Sequence, residues 1–210
     1  MQYFNSLPKI IYRDKNNIST VYTNLIARAN IIPSILRNVL AYYQYDIKDD
    51  DTPEIIAHKY YGDINRFWIV LYSNQILDPQ WDWPLSGNKF NNYVESKLGN
   101  TKDDLHHYEK VITTTNQTSG TDNDITTTIE KYEISTEDYT TLSQTLTNGS
   151  KTYTYSLPNE NITVLIEARG VTNFDYEYDL NESKRNIQLL NKDYAAQLEE
   201  EFMTLMETNV

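Results

Sequence analysis

The chain has 210 residues, a net charge of −12, no cysteine, and 18 tyrosines against five phenylalanines. A chain of this length can bury a core and form one or two domains, but without thiols it has neither a disulfide staple nor a thiolate metal site. Its acidity argues against a nucleic-acid backbone or an anionic membrane as the main partner, because both demand a positive footprint. Tyrosine rings with a polar handle suit protein interfaces, although the same residue also builds β-sheet.

Residues 1–42 begin with an extended apolar stretch. A helix-like segment follows from Ser34 to Tyr42, introduced by Pro33, with Ile35, Leu36, Val39 and Leu40 on one side. From Tyr43 to Lys48, Tyr43, Tyr45 and Ile47 alternate with polar residues and predict a strand with one wet face. Thr52 is placed to cap a helix whose first residue is Pro53, where a missing N–H is no loss. Gly62, after Tyr61, ends that helix in the left-handed conformation, and Asp63 caps a second one running to about Ser73. In the second helix Ile64, Phe67, Trp68, Leu71 and Tyr72 form a single apolar stripe, and Asn74 follows its end.

Between Pro79 and Pro84 the chain reads as a loop carrying Trp81 and Trp83, of which at least one ring is expected on the surface as a partner contact. Ser86 then opens a third helix in which Phe90, Val94 and Leu98 recur every four residues, closed by Gly99. Residues 103–170 are Thr-rich and strand-like. Asn148-Gly149 predicts a hairpin between strands at Tyr139–Thr147 and Ser150–Leu157, the segment from Asn116 to Asp124 a loop tip, and Ile162 to Ala168 a more buried strand. In the tail, Ile187, Leu190, Tyr194, Leu198, Phe202 and Leu205 fit one long amphipathic helix. Ile187, Leu189 and a break at Asn191 fit equally well a strand followed by a helix from Lys192 to Glu207.

The order strand, helix, helix, with Asp51-Thr52, Ile56-Ala57, Tyr61-Gly62-Asp63, Trp68 and Asn74, resembles the LysM module, a small β-α-α-β unit best known for binding N-acetylglucosamine glycans. Two departures matter: Asp50 stands where a Gly usually precedes the Asp-Thr pair, and Asp78-Pro79-Gln80-Trp81-Asp82-Trp83-Pro84-Leu85 replaces a short turn. A wider set of motifs is Tyr3-Phe4, Leu7-Pro8-Lys9-Ile10-Ile11-Tyr12, Leu25-Ile26-Ala27-Arg28, the LysM-like block, the Trp81–Trp83 segment, and Asn181-Glu182-Ser183-Lys184-Arg185. In this order they resemble the small wedge proteins of contractile-phage baseplates, the family of the T-even gene product fifty-three. The resemblance covers about residues 1–110 and 170–207, and it favours strand then helix for the tail.

It implies an α+β fold: a LysM-like β-α-α(-β) module with added helices, followed by a β-rich region and a C-terminal helix. The corresponding divisions are 1–42 (arm and helix), 43–100 (LysM-like domain with an extra helix), 101–191 (Thr-rich β region) and 192–210 (C-terminal helix). It also implies a structural role in the virion, assembled in the host cytoplasm. The expected partners are other wedge subunits and the sheath-initiator protein, with several copies in a six-fold ring around the hub. The alternative is a LysM-type peptidoglycan-binding protein, with glycan binding disfavoured by Asp50.

Signs of chemistry are sparse. The six glycines, at 62, 87, 99, 120, 149 and 170, are too far apart for a P-loop or a dinucleotide fingerprint. His106 and His107 would point to opposite faces of a strand, with His58 remote, so no metal or other cofactor and no catalytic residues are expected. The start lacks the apolar core of a signal peptide, and the longest apolar run, Phe67 to Tyr72, is far short of the roughly 20 residues of a membrane span.

Overall fold

The computed structural model describes residues 3–27, 41–118, 124–147, 149–158 and 160–208. The segment expected as a helix from Ser34 lies outside these residues up to position 40, as do Arg28, the tip of the loop at 119–123 and Asn148 of the hairpin turn. The chain divides into two compact units, one of residues 1–89 and 181–210, the other of residues 90–180.

The first unit begins with a 3-10 turn at Tyr3–Ser6 and a hairpin of β1 (Lys9–Arg13) and β2 (Ser19–Thr23). The hairpin turn is held by Asp14, whose Oδ1 accepts from the backbone N–H groups of Asn16 and Ile18 at 2.9 and 2.8 Å. Strand β3 (Tyr42–Asp46) carries the chain into α1 (Pro53–Tyr61). Thr52 caps α1 by accepting from the Ile55 N–H, and Gly62 closes it at φ 75° with its N–H donated to the His58 carbonyl. A Cβ at Gly62 would meet nothing, so the backbone angle alone demands glycine. Gly62→Val should therefore lower stability by about 1–2 kcal/mol through left-handed strain, read as a drop in thermal midpoint.

Asp63 accepts from the Asn65 N–H and starts a 3-10 turn, Ile64–Arg66, which runs into α2 (Phe67–Ser73). The buried side of α2 is centred on Trp68, Ile69 and Val70. Phe67, Leu71 and Tyr72 are half-buried, while Ile64, expected in the stripe, is exposed, because its turn is 3-10 and shifts the angular spacing. A short helix α3 (Pro79–Asp82), capped by Asp78, and the start of α4 (Gly87–Leu98) follow.

The C-terminal segment returns to the same unit. Strand β8 (Asn186–Leu190) pairs antiparallel with β3, Tyr42 opposite Leu190 and Asp46 opposite Asn186. The last helix, α7 (Lys192–Thr208), supplies Ala195, Phe202 and Met206 to a core shared with Leu7, Ile56, Ala57, Trp68, Ile69 and Leu189. Leu205, expected in the apolar stripe of this helix, is 45% exposed. Tyr3 lies in stacking range of Phe202 and Trp68, at 5.3 and 5.5 Å between centroids.

The second unit is built on a four-stranded antiparallel sheet. Its strands are β4 (Leu105–Thr118), β5 (Ile125–Ile134), β6 (Ser150–Leu157) and β7 (Glu160–Thr172), in the order β5-β4-β7-β6. Two helices stand where sequence patterning predicts strand or nothing. The stretch expected as the strand Tyr139–Thr147 is α5 (Thr136–Thr145), capped by Ser135, with Tyr139 stacked on Tyr108 at 4.0 Å. Residues Asn173–Ser183 form α6, opened by a reciprocal cap: the Asp175 N–H donates to Thr172 Oγ1, and the Thr172 N–H donates to Asp175 Oδ2. Residues 162–168 are a strand but only half-buried.

Candidate functional site

The motif residues singled out in sequence form the frame of the first unit. Besides the caps at Thr52, Pro53, Gly62 and Asp63, the Tyr61 hydroxyl donates to the Leu190 carbonyl at 2.8 Å, tying α1 to β8. Asn74 acts as a backbone clamp: its Nδ2 donates to the carbonyls of Val70 and Gln188, and its Oδ1 accepts from the Gln188 N–H, each at 2.8 Å. Asn181 makes a matching clamp on Leu85, accepting from its N–H at 2.7 Å and donating to its carbonyl at 3.1 Å. Sequence reading placed Asn181 in the tail motif without a role. The Arg66 guanidinium grips both oxygens of Glu199 on α7 at 3.1 and 3.0 Å.

This frame presents a cleft of about 220 Å³ between Lys48–Thr52 on one side and Pro79, Gln80, Trp83 and Lys89 on the other, with Arg185 among its lining. Its charged floor is largely satisfied from within. The Asp51 carboxylate, 3% exposed, accepts from Lys59 Nζ at 2.6 Å, the Tyr45 hydroxyl at 2.7 Å and the Lys48 N–H at 3.2 Å. Burial opposes its ionisation, but these three donors outweigh burial and hold its pKa below the ordinary carboxylate range. Burial, then the hydrogen bond to Asp51, pushes the Tyr45 phenol up to about 12.

Arg185 binds the Ile47 carbonyl, Glu182 and Asp49. Asp50 holds φ 66°, in the left-handed region that a glycine takes most readily and an aspartate tolerates. Because the folded-state pKa of Asp51 is depressed, its contribution is complete above the unfolded carboxylate value and lost as pH falls through the folded one. Acid titration of stability should therefore show an extra loss below about pH 4 that Asp51→Asn removes.

The two tryptophans of this region part company. Trp83 packs against the core of the first unit and donates its indole N–H to the Asp51 carbonyl at 2.9 Å. Trp81 on α3 is 66% exposed, near Leu77 at 78%.

In the second unit His106 and His107 do not face apart as expected: a register shift between Leu105 and His107 turns their rings together, Nδ1 to Nδ1 at 2.8 Å. His106 stacks on Tyr176 at 4.0 Å and His107 meets Glu109 at 3.3 Å. Among the described residues no group of three His, Cys, Asp or Glu side chains could hold a metal ion. No helix among them is long and apolar enough to cross a membrane.

Large apolar side chains remain exposed on the hairpin, at Trp81, and along β5 and β6. Well-clamped backbone that leaves large apolar side chains in water suits a component of a larger assembly. A family model described as base plate wedge protein 53 matches residues 4–205, and the chain belongs to that family. It is thus a structural protein of the phage base plate wedge, a component of the virion tail. A search of curated proteins finds no match.

Proposed function

We propose that this chain is an inner wedge component that binds other wedge subunits and the sheath-initiator protein and joins neighbouring wedges into a six-fold ring around the hub. Its assembly takes place in the host cytoplasm and its role is mechanical, with binding energy as its only product. The observation that carries this reading is the family match along nearly the whole chain. The exposed apolar surfaces support it, since contacts that survive sheath contraction should bury on the order of 2,000 Å² or more. The β3-α1-α2-β8 order supports a LysM-like ancestry for the first unit, its closing strand supplied from residues 186–190.

Trp81 on α3 is the proposed partner contact, and Trp83 the residue that anchors the end of that helix. Trp81→Ser should leave the melting temperature within a degree or so and abolish ring joining, because exposed tryptophan at an interface centre is worth about 2 kcal/mol or more. Trp83→Ser should instead lower the melting temperature by several degrees, about 2 kcal/mol in stability. Equal melting losses in both variants would remove Trp81 from the contact. The reading as a whole is tested by producing tails without this chain: single wedges should accumulate, rings should return when it is added back, and rings formed without it would refute the proposal. Retention on insoluble peptidoglycan is not expected.

A further inference from the structure

All ten residues of β1 and β2 are exposed. Opposed positions place Ile11 and Val21 on one face and Ile10, Tyr12 and Tyr22 on the other, so both faces carry apolar side chains. A two-stranded hairpin with two wet apolar faces is marginal in water and calls for a partner. Its charge says which kind. Lys9, Arg13 and Lys15 against Asp14 give residues 9–23 a net +2, so the rest of this −12 chain carries −14.

The basic residues of the strands sit on β1, at Lys9 and Arg13, and the outer edge of β1 pairs with no strand among the described residues. The second unit offers two open sheet edges. Strand β5 is exposed along nearly its whole length, with Ile125, Ile129 and Tyr132 outward, and bears Glu130 and Glu133 against Lys131. Strand β6 bears only Lys151. An apolar, acidic edge matches a basic β1, whereas a basic edge repels it.

We propose that the β1–β2 hairpin of one copy adds through β1 to the open β5 edge of a second copy, extending its sheet. Such a contact joins two different patches, so it propagates from copy to copy, and it forms a ring where the rotation between copies closes. The inference rests on the reading that several copies surround the hub, and it names the contact between them.

The absence of native cysteine makes the test clean. Full-length Ile11→Cys chain is mixed with full-length Ile129→Cys chain, or with Tyr155→Cys chain as the β6 control, and treated with a bismaleimide of about 10 Å reach. That reach covers several register positions at about 3.4 Å per residue. The dimer yield should be about tenfold higher with Ile129→Cys. Adding Lys9→Glu and Arg13→Glu to the first chain should abolish it, and Glu130→Lys with Glu133→Lys in the second should restore it. Equal yields at the two edges, or no dimer, overturn the pairing. So does a cross-link from Ile11→Cys to a different subunit in assembled tails. A chain that fails to cross-link but is present in purified tails loses only this contact, whereas absence from tails removes the wedge reading itself.

Discussion

Deletion of residues 192–210 should leave an insoluble or uncooperatively unfolding protein, because α7 is a wall of the first unit's core. Phe202 and Met206 are 4% and 3% exposed, Ala195 is fully buried, and Glu199 carries the paired hydrogen bonds to Arg66. Burial of large apolar side chains is worth about 1.5–3 kcal/mol each, so losing this helix removes on the order of 5 kcal/mol, comparable with the stability of a small domain. It would also strip the cover from Tyr3 and Trp68. Solubility and far-ultraviolet circular dichroism across a thermal ramp check this. A soluble truncated chain with an unchanged transition would show that the helix does not hold the core.

Trp68→Ala should cost about 3–5 kcal/mol. The ring is 3% exposed and lies 5.0 Å from Phe202 and 5.9 Å from Tyr72, so its removal opens a cavity at the junction of α2, α7 and the N-terminal turn. Its indole N–H is buried with no hydrogen-bond partner among the described residues, so Trp68→Phe sacrifices no polar contact there and should cost less, about 1–2 kcal/mol. Denaturant midpoints for the two variants separate cavity from chemistry. Equal losses, or none for Trp68→Ala, would contradict the packing described above.

The parts of the fold that were legible in sequence are those written in local chemistry. The caps at Thr52 and Asp63, the left-handed Gly62 and the helix around Phe90 and Val94 are set by neighbours within a few residues, and all appear as expected. The two unexpected helices were also marked locally, in Ser135-Thr136-Glu137-Asp138 and Thr172-Asn173-Phe174-Asp175. Each is a hydroxyl followed three residues later by a carboxylate, and each forms its cap. The Thr-rich composition of 136–145 outvoted that signal, since it read as strand, and the stretch from Asn173 to Ser183 drew no expectation of its own.

Other features have no local record. Strand β8 pairs with β3 across some 140 residues of chain, and nothing in the periodicity of either strand names its partner. The clamp of Asn181 on Leu85 is of the same kind, a buried amide whose meaning depends on a backbone segment 96 residues away. The meeting of His106 and His107 depends on a bulge that a regular alternation would not produce. The partner surfaces are the least legible, because exposed Trp81 on α3 and half-buried Trp83 just past its end stand two residues apart, where a loop was expected, and differ only in what they reach.

The central claim, that this chain is a structural member of the base plate wedge, is tested most directly by a cryo-electron microscopy map of the intact tail of the phage that encodes it. The account predicts density in the wedges that fits the β3-α1-α2-β8 core with α7 packed on it, repeated around the hub. A complete base plate map in which no density accommodates this chain would contradict it.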